Sequence, residues 1–303
     1  MNFQSKKIAV ISHDAGGAEI ISSFIRRNKL DCFYVLSGPA IKIFEGKLGV
    51  LDLKELDIAI DHANLILCGT SWENKVEVEA IAKAKTLKKH SIVFLDHWVN
   101  YQERFILDNV VVLPDEIFVF DEFAMKTAQK LFFGVKLKLI ENPYFLDIKS
   151  HLSNISVPKK SYNENFNILY VCEPIREHAL RVYSNEMYWG YTEEDALKFF
   201  LMHLNVLSDK ISYITIRPHP SEREGKYDWA ESILPRIIIS KREPLINQVI
   251  NASIVAGCSS MAMIIGLLAN KRVVSCIPPE GNVPGLPHKE IEKLSDLILK
   301  SEN

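Results

Sequence analysis

The stretch Tyr213-Ile214-Thr215-Ile216-Arg217-Pro218-His219-Pro220-Ser221-Glu222 sets an imidazole between two prolines at the tip of a β-branched run. The prolines withhold backbone donors and fix φ, so the strand must stop near Arg217 and His219 must sit on a stiff loop. Such a loop can hold a catalytic or anion-binding group. Further on, "AGCSSMAMIIGLLANKR" ends a strand at Gly257 and puts Ser259 and Ser260 at the start of a helix with no acidic residue in its first turn. Two hydroxyls beside unpaired helix N–H groups form a compact anion site suited to a phosphate. Serine N-capping alone accounts for one of them. Arg217 and His219 join this phosphate set, with pairing to a carboxylate as the structural alternative for Arg217. "VCEPI" ends another strand with Glu173, and Glu243 in "KREPL" is a weaker candidate for a nucleotide's ribose or base.

Near the amino terminus, "SHDAGGAEII" crowds Ser12, His13, Asp14, Gly16 and Gly17 into one strand-to-helix turn. Paired glycines let a ligand or another loop approach the backbone, and the following helix aims its first N–H groups at the same place. The dinucleotide fingerprint G-x-G-x-x-G is absent. "VFLDHWVNYQERF" repeats the pattern with Asp96 and His97 at a strand end, Trp98 and Tyr101 able to line an acceptor pocket, and Arg104 available to an anionic group. The bland alternative is that Asp96 caps a turn and Trp98 is core. "CGTSWE" closes a neighbouring strand beside these groups, and "NPYF" reads as a turn leading out of the domain. Asp115 and Glu116 read as the start of a strand, and no metal site or cofactor is expected.

The elements that must position these residues alternate short apolar strands with helical segments, the signature of parallel sheets covered on both faces. The pattern runs from "KIAVIS" to "EIFVFD", lapses over the polar stretch 147–165, and restarts at "NILYVCEP". The expected fold is α/β, with two Rossmann-like doubly wound domains, residues 1–154 on the acceptor side and 155–303 binding the nucleotide, facing a central cleft. Ligands are then expected beyond the carboxyl ends of the strands. A net charge of −2 argues against nucleic acid or membrane binding through overall charge, while a local basic or aromatic patch for peripheral membrane contact stays open. No apolar run of 18 residues and no signal-peptide pattern is present, which predicts a cytoplasmic protein. The five cysteines, at 32, 68, 172, 258 and 276, are scattered singly and read as reduced, mostly buried side chains.

The second half resembles the nucleotide-binding domain of GT-B glycosyltransferases. His219-Pro220 followed by Ser259-Ser260 is similar to the HP and serine motifs of bacterial sialyltransferases and polysialyltransferases, which use CMP-linked nonulosonic acids. The resemblance implies that His219 contacts the CMP phosphate and assists its departure, that the two serines bind that phosphate, and that a carboxylate of the first domain is the general base. Asp14 is the nearest match to that base, although "HDAGG" stands where the family has an acidic pair, and His13 or Asp96 are the alternatives. "RPHP" also occurs in polymerases of capsule and teichoic-acid type. The implied activity is transfer of a sugar from a nucleotide sugar to a glycan or protein acceptor, without metal. A UDP-N-acetylglucosamine 2-epimerase, or a binding protein that has lost turnover, is the rival expectation.

Overall fold

A computed structural model describes residues 3–71, 74–154, 166–240, 243–282 and 286–301. The chain divides into two compact units, Met1–Asp147 and Ile148–Asn303.

In the first unit, β1 (Ile8–Ser12), α1 (Ala15–Asn28), β2 (Cys32–Leu36), α2 (Pro39–Leu48) and α3 (Leu56–His62) lead to β3 (Leu65–Cys68) and α4 (Val76–Thr86). Then come β4 (His90–Phe94), a small antiparallel pair of β5 (Ile106–Leu107) and β6 (Val110–Val111), and β7 (Glu116–Val119). The unit closes with α5 (Glu122–Leu131), β8 (Lys136–Leu139) and α6 (Pro143–Asn154), and the division between units falls inside α6. Six strands form one parallel sheet in the order β2-β1-β3-β4-β7-β8. Along β1, Ile8 and Val10 enter one buried cluster and Ala9 and Ile11 another, so both faces are covered. That is why these strands read as unbroken apolar runs rather than as alternating ones. The chain leaves β1 to one side for β2 and then crosses to the other side for β3, so the topological switch point lies at the carboxyl ends of β1 and β3.

The second unit repeats the scheme with β9 (Phe166–Val171), α7 (Ile175–Tyr183), α8 (Glu193–Met202), α9 (Leu204–Leu207) and β10 (Ile211–Arg217). It continues through α10 (Asp228–Ile233), β11 (Ile237–Ile239), α11 (Leu245–Asn251), β12 (Ile254–Gly257) and α12 (Met261–Leu268). β13 (Arg272–Ser275), β14 (Glu292–Lys293) and α13 (Leu294–Ser301) complete it. The strand order β11-β10-β9-β12-β13-β14 is again wholly parallel, with its switch point between β9 and β12. Ile168, Tyr170, Ile214, Ile216, Ile254 and Ala256 share the core on one face, while α12 packs by Gly266 against Val255 and Val273 on the other.

Two sequence expectations need correction. "NPYF" begins a helix: the Asn142 side-chain oxygen accepts the amides of Tyr144 (3.0 Å) and Phe145 (3.3 Å), which caps α6. Residues 147–154, expected to be linker, belong to that helix, and residues 155–165 lie outside the described residues. Beyond Glu193 the helical stretch breaks at His203 into α8 and α9. All five cysteines are free and four are buried; burial pushes even the half-buried Cys32 thiol up to about 12. No helix among the described residues is long and apolar enough to cross a membrane.

Candidate active site

In the first unit, the polar groups gather at the switch point. Asp14 occupies the N-cap of α1 without a side-chain capping bond, and its Oδ1 lies 2.8 Å from Nδ1 of His13. A carboxylate can only accept, so Nδ1 carries the proton and Nε2 of the neutral ring keeps its lone pair. Nε2 points at Gly38, where a Cβ would stand 2.6 Å from it, and Gly38 holds φ at +54°. The missing side chain is what leaves the nitrogen room.

Asp96 and Arg104 form a buried pair, Nη1 to Oδ1 3.3 Å, with both side chains 8% exposed. The Thr70 hydroxyl donates to Asp96 (2.9 Å) and Arg104 donates to the Thr70 hydroxyl (2.9 Å) and carbonyl (3.2 Å). These bonds tie the end of β4 to the end of β3, so Arg104 is committed inside the protein rather than offered to an anionic ligand, and Asp96 is the less suited base. Asp96 also abuts α1, since a Cβ on Gly16 would fall 2.0 Å from its Oδ2. Gly17 serves a similar purpose, lying against the backbone of Gly69.

The aromatic residues are placed less favourably for an acceptor. Tyr101 is a core side chain, its ring stacked on Phe132. Trp98 donates its indole N–H to Asp121, the N-cap of α5, and packs against the same core. His97 rests against Trp98; burial holds its pKa below the usual imidazole range, and its Nδ1 is buried without a hydrogen bond.

Glu77 is the residue the sequence reasoning missed. Its Oε1 accepts both the His13 amide and the Ser71 hydroxyl, each at 2.8 Å. Only 3% of the residue is exposed. Burial pushes the carboxyl up to about 7, against the pull of the Ser71 and His13 bonds, and the neighbouring Asp14 charge adds to the rise. A signal was present: Glu77 heads the helical stripe Ala80, Ile81 and Ala84, all buried, and a carboxylate at the head of an apolar i, i+3, i+4, i+7 face faces inward.

In the second unit, β10 ends at Arg217 and the loop beyond it is held at each residue. Oε2 of Glu222 accepts the His219 amide (2.6 Å), and the Ser221 amide donates to His219 Nδ1 (3.2 Å), with the Ser221 hydroxyl 2.7 Å from the same nitrogen. Because Nδ1 accepts, the proton of the neutral ring sits on Nε2. The reason for "HPSE" is therefore that its last two residues fix the loop and the tautomer. Glu222 is anchored in turn by Tyr227 and by Lys226, whose buried ammonium also binds Glu177 (2.7 Å) and pairs with buried Glu193. Burial opposes the lysine charge, but the three carboxylates outweigh it and hold its pKa above the ordinary value. These glutamates lie close enough together to hold a cation, and the lysine supplies it.

The predicted phosphate site is built differently from expectation. Ser260 is the N-cap of α12, accepting the Ala262 amide at 3.2 Å. The amides of Cys258 (3.2 Å) and Ser259 (2.7 Å) donate to Oε1 of Glu173, and the Ser259 hydroxyl lies 3.2 Å from Oε2. The end of β9 thus supplies an internal anion at the start of α12. Gly257 has a packing reason, since a Cβ there would meet the Val171 side chain at 2.7 Å. Arg217 is also committed, donating to the Glu243 carbonyl and the Gln248 side chain at 2.6 Å each. Glu243 lines a cavity of about 240 Å³ that runs along the sheet past Thr215 and Leu169 to Asn167 and Asn251. Beside Pro218 lies a second cavity of about 560 Å³, walled by Glu224, Asp228 and Glu231.

No protein-family model matches this sequence, and none of the curated proteins does. Solved structures do match in shape. A UDP-GlcNAc 2-epimerase from Methanocaldococcus jannaschii superposes with a TM-score of 0.62 at 11% identity, covering 98% of this chain and 92% of that one. A putative UDP-N-acetylglucosamine 2-epimerase from Listeria monocytogenes gives 0.58 at 12% identity, covering 98% and 87%. The E. coli heptosyltransferase WaaC, solved with ADP-2-deoxy-2-fluoro heptose, gives 0.51 at 8% identity, covering 98% and 100%. The two sheets are those of the GT-B fold. At these identities the likeness establishes the fold, and function has to be argued from the residues.

Proposed function

We propose that this protein is a glycosyltransferase, moving a sugar from a nucleotide-sugar donor to a hydroxyl of a glycan or protein acceptor. The observation that carries this reading is the opposite setting of two histidines: Asp14 leaves the lone pair of His13 on Nε2, and Ser221 leaves the proton of His219 on Nε2. A neutral imidazole of the first kind can take up a proton near pH 7, and one of the second kind presents an N–H that donates a hydrogen bond to an anion. In the proposed reaction the acceptor hydroxyl gives its proton to His13, with Asp14 stabilising the imidazolium, while its oxygen bonds to the anomeric carbon. The bond from that carbon to the phosphate oxygen breaks with its electron pair going to that oxygen, and the Nε2–H of His219 donates a hydrogen bond that stabilises the departing phosphate anion. Ser259 and the first amides of α12 are assigned to the phosphate, for which Glu173 must give way. Arg217, Asp96, Arg104 and Tyr101 are assigned to the scaffold.

The finer proposal is a CMP-linked nonulosonic acid donor used without metal, which rests on the resemblance of His219-Pro220 and Ser259-Ser260 to the HP and serine motifs. Likeness in fold to the two epimerases supports a second reading, a UDP-sugar epimerase. Calorimetric titration with CMP, CDP, UDP and ADP, with and without magnesium, separates them, followed by donor turnover. CMP binding with turnover that falls about a hundredfold or more in His219→Ala supports the transferase. A preference for UDP favours the epimerase. Binding without turnover on any acceptor overturns the enzyme reading in favour of a nucleotide-sugar-binding protein.

A further inference from the structure

We propose that Glu77 is the positioning residue of the first unit, a carboxylate that holds the β1–α1 turn, and with it the His13–Asp14 pair, more firmly while it is ionised. This rests on the reading of His13 as the proton acceptor of the proposed reaction. The geometry is unequal at the two oxygens. Oε1 takes the His13 amide and the Ser71 hydroxyl, so one atom links the turn after β1 to the loop after β3. Oε2 is buried and has no hydrogen bond, and the same is true of the Ser12 hydroxyl. Both residues border Gly69, whose Cβ would lie 3.3 Å from Ser12 Oγ and 3.7 Å from Glu77 Oε1.

A carboxylate kept only as a staple would be indifferent to its charge, because a glutamine oxygen accepts the same two donors. Here the charge matters, since hydrogen bonds to an ionised acceptor are roughly twice as strong as those to a neutral one. Oε2 is the oxygen free to take a proton. Once it does, Oε1 becomes a carbonyl and its hold on the His13 amide slackens. No cation fixes the charge: among the described residues Glu77 forms no ion pair. The titratable groups facing it are His13 and Asp14 of the β1–α1 turn and Cys68 of β3, whose thiol is held neutral by burial. Asp96, at the end of β4, is paired with Arg104, and from α3 the nearest partner of α4 is Asp57, paired with Lys83. With burial pushing the carboxyl up to about 7, the change falls near neutral pH.

The test is NMR of the full chain between pH 5.5 and 8.5, following the His13 backbone amide in wild type and in Glu77→Gln, with the Glu77 side-chain carbon titrated in wild type. The expected result is an inflection of the His13 amide that coincides with the Glu77 titration, and its loss in Glu77→Gln while the fold is retained. A His13 amide whose profile is the same in both proteins overturns the proposal, as does a Glu77 carbon that titrates below pH 5. Turnover separates this from the reading beneath it. If His13→Ala retains full activity the catalytic reading fails, whereas the amide measurement still decides whether Glu77 governs the turn.

Discussion

The Ser259 amide donates to Oε1 of Glu173 at 2.7 Å, so the helix start that the sequence offers to a phosphate already holds a carboxylate. Burial raises the pKa of that carboxylate, opposed by its bonds to Ser259, Cys258 and Ser260. An incoming phosphate meets a like charge, and binding requires the carboxylate to turn away or take up a proton.

Glu173→Gln keeps an oxygen for the two amides and removes the charge. Nucleoside monophosphate should then bind about tenfold more tightly, on the order of 1.4 kcal/mol. Affinity should also lose the part of its pH dependence by which acid favours the wild type. Calorimetry at pH 6 and pH 8 on both proteins measures this; unchanged or weaker binding by the variant would place the phosphate elsewhere.

Gly38→Ala addresses the His13 ring from the other side. A Cβ 2.6 Å from Nε2, on a residue at φ +54°, must rotate the imidazole off Asp14 or shift α2. We expect kcat to fall at least tenfold with donor Kd unchanged, and stability to fall by about 1 kcal/mol. A variant with wild-type kcat would show that His13 Nε2 takes no proton in turnover.

Lys226→Met leaves the buried carboxylates of Glu222 and Glu193 without their cation. Removing one partner of a buried ion cluster costs about 3–5 kcal/mol. Urea unfolding should register a loss in that range, accompanied by lower activity because Glu222 carries the His219 amide. A loss below 1 kcal/mol would mean that the glutamates take up protons instead.

The pH dependence of stability has a defined sign at Glu77. Its folded pKa lies above the ordinary value, so the neutral form is favoured by folding. The contribution is complete below about pH 4.5 and is lost as pH rises through about 7. Its full size is about 3 kcal/mol. Unfolding free energy measured from pH 4 to pH 8 should fall more steeply in wild type than in Glu77→Gln, and parallel curves would contradict the burial of an ionisable group here.

Most of the fold was legible because the strands are buried on both faces and spell continuous apolar runs. "KIAVIS", "NLILCGT", "SIVAGC" and "RVVSCIP" all correspond to central strands. The edges were harder to see: β8 reads Lys-Leu-Lys-Leu and β14 is the dipeptide Glu292-Lys293, neither of which looks like a strand until a neighbour pairs with it. At the site, sequence pointed to strand ends but not to the partner that holds each side chain there. Glu173 and Ser259 lie 86 residues apart, and only the crossover from β9 to β12 brings them together. Arg104 and Asp96 are close in the sequence, but their commitment to Thr70 depends on how β3 and β4 align.

The same lysines that hide β8 from a sequence reader make it a poor template for a further strand. A free sheet edge is a template for another chain, and charge along it is a common deterrent to aggregation. Lys136 and Lys138 lie on such an edge, the opposite margin of that sheet is partly covered by the bridge between Tyr34 and Leu53, and the outer strands of the second sheet have only three and two residues. Each margin is therefore charged, covered or too short to recruit a neighbour, so neither sheet has to close into a barrel to avoid offering a long free edge to another chain.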